Sequence, residues 1–236
     1  MLNAVLCLPT YNERENLERM IEALQPLGVR VLVIDDNSPD GTGDIADRLA
    51  VEHEWLSVLH RERKEGLGRA YVAGFREVLR GEADYVLEMD CDFSHDPADV
   101  PRLIAAAEAG ADLALGSRYV RGGGTGNWGL LRRLISRGAS IYTRVLLMPV
   151  HDATGGFKCF RRHVLESIDL ETIDAAGYVF QVETTYRALR KGFSVVEVPI
   201  HFVDRREGQS KMSRAIVLEA IWKVPALRLR ALLGRL

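Results

Sequence analysis

Two hydrophobic periods alternate along the first half of the chain. Short runs that are apolar almost throughout, "AVLCLP", "VRVLVIDD", "LSVLHR", "DYVLEMD" and "ADLALGSR", are separated by "ENLERMIEALQPL", "GDIADRLAVEH", "GRAYVAGFREVLR" and "VPRLIAAAEAG", in which apolar residues recur at i, i+3 and i+4. Near-continuously apolar strands spaced by amphipathic helices predict an α/β fold, a Rossmann-like, mostly parallel sheet with helices on both faces. From Tyr119 the pattern loosens into a Gly-rich loop "RGGGTGNWG", a helix "LLRRLISRGASIYTRVLLM", a turn "DATGGFKCF", a helix around "QVETTYRALRKG", a strand "FSVVEVPIHF" and a last helix "SRAIVLEAIWKV" that meets Pro225 and continues weakly. No repeat or low-complexity linker interrupts it. The organisation expected is one domain over residues 1–212, with residues 1–118 as a nucleotide-binding-type half, residues 119–212 as a second half, and a helical extension over 213–236.

In such sheets ligands bind outside the carboxyl ends of the strands, and the polar clusters fall there. "PTYNE" follows the first strand, "DDNSPDGT" the second, "MDCDFSH" the fourth and "GSRYVRGGG" the fifth, which predicts one shared site. Asp90 and Asp92 stand two apart in an extended run, so both point one way while Cys91 points the other and packs. Like charges at that spacing repel, and oxygen-only ligands suit Mg²⁺ or Mn²⁺, which also take substrate phosphate oxygens. Capping of the helix that follows accounts for Asp96 ahead of Pro97 but not for Asp90. "DDNSPDGT" is dense turn chemistry; taken alone it reads as a turn, although the strand end places Asp36 where a carboxylate can accept hydrogen bonds from a ribose or base. "GLGRAYVAG" lacks G-x-G-x-x-G, so its glycines are expected to let a helix N-terminus approach something closely.

Charge and composition narrow the class. Lys+Arg 31 against Asp+Glu 33, a net charge of -2, gives no signal for nucleic acid, and 47% hydrophobic with 27% charged residues argues against disorder. Cys7, Cys91 and Cys159 have no C-x-x-C spacing and read as reduced, intracellular cysteines, while Cys91, His95, His151, His163 and His201 lack metal-ligand spacing and are expected to pack or hydrogen-bond. The start "MLNAVLCLPTYNE" lacks a basic n-region, so no signal peptide is expected, and no apolar run approaches the ~20 residues of a spanning helix. Yet the stretch from Leu113 to His151 contains no acid and carries Arg118, Arg121, Arg132, Arg133, Arg137 and Arg144. Guanidinium forks bind phosphate bidentately. For Arg118, at a strand end beside the acidic cluster, phosphate is the expected partner, against internal partners for a solvated helix face. A second basic stretch from Arg205 mixes Lys211, Arg214, Lys223, Arg228 and Arg230 with Ile216, Val217, Leu218, Ile221 and Trp222, which fits an interfacial amphipathic helix or, equally, a helix packed on the core.

The stretches "PTYNERENL", "VIDDNSPDGT", "GLGRAYVAGF", "MDCDFSHDP", "GSRYVRGG", "DATGGFKCF", "GYVFQVE" and "FVDRREGQSKM", in this order over residues 3 to 215, resemble the family-2 glycosyltransferases, and within them the dolichyl- or polyprenyl-phosphate mannosyltransferases. The resemblance implies a GT-A fold, a GDP-mannose donor, a polyprenyl-phosphate lipid acceptor and a Mg²⁺ or Mn²⁺ cofactor on Asp90 and Asp92, with Ser94 at a further metal-site position. It places Pro9, Tyr11, Glu13, Asp36, Asp40 and Asp90 at the nucleotide sugar. Arg118, Arg133 and Ser136 fall at the acceptor phosphate, and Arg205 with Lys211 in an "R-x-x-G-x-S-K" loop over the diphosphate. Asp92, Arg118, Arg133 and Lys211 are the catalytic positions it implies, in an inverting displacement giving polyprenyl-phosphate β-mannose. Residues 119–212 become the acceptor half. The enzyme is then expected to be cytoplasmic and peripheral at the cytoplasmic face of a membrane, held by residues 129–148 and 213–232 or by a separate membrane-anchoring subunit. Three alternatives remain open: a UDP-sugar transferred to undecaprenyl phosphate, a nucleotidyltransferase using the same Asp pair, and a catalytically silent nucleotide-sugar-binding protein.

Overall fold

A computed structural model describes residues 3–126, 128–173, 178–203 and 214–234. The chain runs β1 (Ala4–Thr10), α1 (Arg14–Leu24), β2 (Arg30–Asp35), α2 (Thr42–Glu52), β3 (Leu56–His60), α3 (Leu67–Leu79), β4 (Tyr85–Glu88), α4 (Val100–Glu108) and β5 (Leu113–Ser117). There follow β6 (Gly124–Gly126), α5 (Leu130–Leu146), β7 (Lys158–Arg161), α6 (Arg162–Ser167), α7 (Tyr178–Arg190), β8 (Val195–Pro199), β9 (His201–Val203) and α8 (Arg214–Leu232). Seven strands form one sheet in the order β3-β2-β1-β4-β7-β5-β8. All neighbours are parallel except β7, which is antiparallel to both β4 and β5. The order reverses at β1, with β2 on one side and β4 on the other, so the crevice between their carboxyl ends is the topological switch point at which such sheets bind ligands.

One core layer, under α1, α2 and α4, is built from residues such as Leu6, Leu8, Leu17, Met20 and Leu103; the other, under α3, α6, α7 and α8, from Tyr71, Phe75, Phe160, Val164 and Phe180. Gly74 lets α3 lie on β2, because a Cβ there would stand 2.2 Å from Ile34 Cδ1. The close approach is thus seen at the middle of this helix. Gly66 opens the helix with φ 101°, a conformation that glycine adopts at little cost.

Two expectations are corrected. "DATGGFKCF" is not only a turn: its Lys158–Arg161 is a central strand, which lacks a continuous apolar signature because Lys158 is buried against a charge. "FSVVEVPIHF" is not one strand; β8 stays in the large sheet, and β9 leaves it to pair in parallel with β6 inside the Gly-rich segment that reads as loop. The last helix, as expected, continues past Pro225, which is exposed. Its Val224, Leu227 and Ala231 enter the core over α7.

Candidate active site

The carboxyl ends of β1 and β2 form one wall of the crevice. Thr10 and Asp35 are register partners, and the Thr10 hydroxyl donates to Asp35 Oδ1 at 3.1 Å. Asp35 also accepts from the Ser38 amide (3.1 Å) and hydroxyl (2.6 Å), so this buried carboxylate is consumed in holding the turn. Asp36 instead pairs with Arg61 at the end of β3; burial raises its pKa, while the guanidinium opposes the shift. Asp40 loses some hydration, yet hydrogen bonds from Thr42 and from the Arg14 amide win and hold its carboxyl below the usual range. It thereby ties the first turns of α1 and α2 together, a placement complementary to two helix N-termini. Glu13 precedes α1, its amide donating to Thr42 Oγ1 at 3.0 Å and its carboxylate accepting from Asn16 at 2.8 Å. Pro9 lies in β1 beside Ile34, and Tyr11 presents its ring to Lys64 Nζ at 3.7 Å.

The other wall follows β4. The strand stops at Glu88, and the chain curls through Phe93 at φ 57°. Asp90 Oδ1 accepts from the Tyr71 hydroxyl at 3.3 Å, and Asp92 Oδ1 from the Ser94 amide at 3.0 Å. Cys91 turns into the core, as the alternation predicts; burial raises its thiol pKa, and the charges of Glu13, Asp92 and Asp90 raise it further. Ser94 Oγ is buried without a hydrogen-bond partner among the described residues. Two carboxylates and this orphaned hydroxyl on one short turn form an oxygen donor set that fits Mg²⁺ or Mn²⁺ sharing its remaining positions with substrate phosphate. No group of three or more His, Cys, Asp or Glu side chains among the described residues is arranged to hold a metal on its own. Asp96 accepts from the Ala98 amide at 2.9 Å ahead of Pro97 and is a cap, as expected.

Beneath this turn lies a polar cluster in the dry core. Glu88 and Lys158, register partners on β4 and β7, pair at 3.0 Å with both side chains at 0% exposure. Lys158 Nζ also donates to the Gln181 carbonyl at 3.1 Å, the Gln181 side chain and Thr184 Oγ1 at 3.1 Å, all on α7. Burial pushes Glu88 up to about 7 despite the neighbouring ammonium, and burial lowers Lys158.

The third region collects around Arg118 at the end of β5. Its guanidinium grips Asp152 through Nε (2.7 Å) and Nη2 (2.6 Å), its amide donates to the same carboxylate at 2.8 Å, and Nη2 reaches Thr154 Oγ1 at 2.9 Å. The first acid after the acid-free stretch is therefore the internal partner of its first arginine. Around the guanidinium stand the rings of Tyr119 (5.3 Å), Phe202 (5.4 Å) and Trp128 (5.5 Å), and Arg132 covers Trp128 at 4.3 Å. The Tyr119 hydroxyl and Ser136 Oγ are 2.6 Å apart. Phe202 is also 5.1 Å from the His95 ring, and the Val203 amide donates to the Ser94 carbonyl at 3.1 Å. One ring thus separates the aspartate turn from Arg118. Arg133 is exposed on α5; Arg205 and Lys211 lie outside the described residues.

Helix α5 is built inside out. It buries Ser136, Ser140 and Thr143 and exposes Leu130, Leu131 (72%), Leu134 (70%), Ile141 and Val145 among Arg133, Arg137 and Arg144. Trp222, in the middle of α8, and Leu229, Leu232 and Leu233, at its end, are exposed, and α8 packs against α5. Of the two readings left by the sequence for this last helix, packing on the core is seen in Val224, Leu227 and Ala231, while other apolar residues stay outside. No helix among the described residues is long and apolar enough to cross a membrane.

Arg61, Tyr71, Glu88, Asp152, Lys158 and Phe202 are the participants sequence reasoning did not single out. Two left a trace: Glu88 is an acid inside an apolar strand, and Lys158 a lone charge between aromatic residues.

Residues 5–169 match the family described as Glycosyl transferase family 2. The chain is 48% identical over 98% of its length to a polyprenol monophosphomannose synthase of Mycolicibacterium smegmatis, covering 89% of that protein. It is 46% identical over 94% of its length to an undecaprenyl-phosphate mannosyltransferase of Micrococcus luteus, covering 93% of it. Among solved structures it resembles a mannosyltransferase of Pyrobaculum calidifontis in complex with GDP-Man and Mn²⁺, with a TM-score of 0.67 and 18% identity; the match covers 97% of this chain but only 64% of that longer one, and the shared architecture is the GT-A fold.

Proposed function

Because this chain belongs to glycosyl transferase family 2, we propose that it transfers mannose from GDP-mannose to a polyprenyl phosphate, with inversion, giving polyprenyl-phosphate β-mannose. The observation that carries this reading is the position of Phe202, whose ring meets both His95 of the aspartate turn and the guanidinium of Arg118. On this reading a site for a diphosphate and a site for a second phosphate would be neighbours along the carboxyl edge of the sheet. The nucleotide sugar would lie against Pro9, Tyr11, Glu13, Asp36 and Asp40, with its base and ribose near the Asp36–Arg61 pair. Asp90, Asp92 and Ser94 would hold Mg²⁺ or Mn²⁺, which when bound offsets charge on the diphosphate leaving group.

The acceptor explains why no general base is needed. A phosphate monoester is already anionic at neutral pH, unlike a sugar hydroxyl. The task of the protein is to bring one anion against another and align them. Arg118, fixed by Asp152 and walled by three rings, Arg133 on α5, and Ser136 beside Tyr119 would orient the acceptor phosphate; Arg205 and Lys211 would close over the diphosphate. An acceptor oxygen then forms a bond to the anomeric carbon as the bond from that carbon to GDP breaks on the opposite face, with no proton to relocate.

The lipid tail gives the inverted α5 a partner. Leucines outward among arginines complement an anionic lipid surface, and with the apolar end of α8 they would seat the enzyme peripherally on the cytoplasmic leaflet. A separate anchoring subunit would be required only if vesicles fail to bind the chain.

The test is transfer of labelled mannose from GDP-mannose into organic-extractable lipid with polyprenyl phosphate, with and without Mg²⁺ or Mn²⁺. Metal-dependent label is expected, with a loss of at least about 100-fold in Asp92→Ala. Label from UDP-glucose but not GDP-mannose would overturn the donor, and an α-linked product would overturn the single displacement.

A further inference from the structure

Asp90 is reached from outside the crevice by a group that neither the D-x-D spacing nor the strand pattern announces. Tyr71, on α3, is fully buried and directs its hydroxyl at Asp90 Oδ1 from 3.3 Å. Its ring is stacked on Phe180 of α7, centroids 5.8 Å apart and planes 4° from parallel, and on Phe75 one turn further along its own helix at 5.8 Å and 28°. Phe75 in turn meets Phe160 of β7 edge-on at 5.6 Å. The next residue of α7, Gln181, is fixed in its turn by Lys158. A phenol clamped in this way cannot swing, so the direction in which its hydroxyl points is set by the core.

We propose that Tyr71 is a positioning residue for metal binding: its hydroxyl fixes the Asp90 carboxylate so that the other oxygen faces the crevice, and Phe180 holds the ring that makes this possible. The assignment rests on the reading of Asp90 and Asp92 as metal ligands. A carboxylate ligand is an acceptor at both oxygens, and an outer donor on one of them removes rotamers in which the other faces away. Such outer partners typically affect metal affinity by 10–100-fold. The arrangement also makes the ligand depend on both halves of the chain, since the hydroxyl belongs to α3 and the ring's support to α7.

The direct test titrates Mn²⁺ into the full chain saturated with GDP, followed by calorimetry and by the Mn²⁺ EPR signal, for the wild type, Tyr71→Phe, Phe180→Leu and Asp92→Ala. Tyr71→Phe keeps the ring in place and is expected to weaken Mn²⁺ about 10-fold, with GDP affinity in the absence of metal unchanged. In turnover the concentration of Mn²⁺ giving half-maximal rate should rise by a similar factor, while the rate at saturating Mn²⁺ stays within about twofold, a split that general loosening of the core would not give. Phe180→Leu, which keeps the hydroxyl but loosens its clamp, should weaken Mn²⁺ by about threefold. If Asp92→Ala loses Mn²⁺ but Tyr71→Phe binds it within twofold of the wild type, the Tyr71 assignment is wrong and the metal site stands. If Asp92→Ala binds Mn²⁺ as the wild type does, the metal reading is wrong and the assignment falls with it.

Discussion

Two parts of this molecule break the inside–outside rule in opposite directions. Beneath the aspartate turn, Glu88, Lys158, Gln181 and Thr184 occupy core that could have been filled with aliphatic side chains; on α5, Leu130, Leu131 and Leu134 face outward while Ser136, Ser140 and Thr143 face in. The first violation is paired within the chain, since Glu88 lies 3.0 Å from the Lys158 ammonium and the ammonium finds three acceptors on α7. The outward leucines of the second have no cover among the described residues. A buried ion pair is thus a statement about internal geometry, whereas an exposed row of leucines points to a neighbour.

The largest expected effect separates the two regions by stability. Lys158→Met strands Glu88 without its partner and should cost about 3–5 kcal/mol in urea denaturation, whereas Glu88→Leu with Lys158→Met should return to within about 1 kcal/mol of the wild type or exceed it. The pH response gives a second reading. Burial has raised the Glu88 carboxyl, so its protonated form is favoured by folding; the contribution is present at low pH and is lost as pH rises through about 7. The single variant should therefore be less impaired at pH 5 than at pH 8, and equal impairment at both would count against an uncompensated charge.

Next in size is the effect on membrane contact. Leu131→Ser with Leu134→Ser should leave the unfolding free energy within about 0.5 kcal/mol, yet weaken sedimentation with phosphatidylglycerol vesicles by about 100-fold, as expected for two leucines that bury on docking. A comparable loss of fold stability would mean that these leucines already have a protein partner.

The smallest effect belongs to a wet carboxylate that sharpens the contrast. Asp40 is held below the usual range by Thr42 and the Arg14 amide despite partial burial. Its contribution is present above the ordinary aspartate value of about 3.9 and is lost as pH falls through the folded value. The difference in urea midpoint between the wild type and Asp40→Asn should shrink steadily from pH 5 to pH 2.5; a constant difference would assign Asp40 a role in packing rather than charge.

Much of the fold was legible because each parallel strand and its helix announce themselves within about a dozen residues. The strand-end clusters followed from the same pattern, and the structure brings Tyr11, Asp36, Asp90 and Arg118 to one edge of the sheet. What escaped notice depends on partners distant in sequence. Lys158 looks like a turn residue until Glu88 stands opposite it, and Arg118 looks like a phosphate ligand alone until Asp152 is seen to grip it. The arginine count of α5 was visible, but its orientation was not, because a helix with apolar and small polar faces can dock by either one, and only the location of other elements decides.

The antiparallel strand wedged between β4 and β5 also has a consequence for biosynthesis. The first five strands leave the ribosome well before Lys158–Arg161, and until that segment arrives β4 has no partner on one side and β5 has none at all within the large sheet. Residues 1–118 therefore cannot close as a finished unit during translation. A nascent chain waiting for its wedge presents open β edges on β4 and β5, the kind of surface on which chaperones act and on which neighbouring nascent chains can pair by mistake.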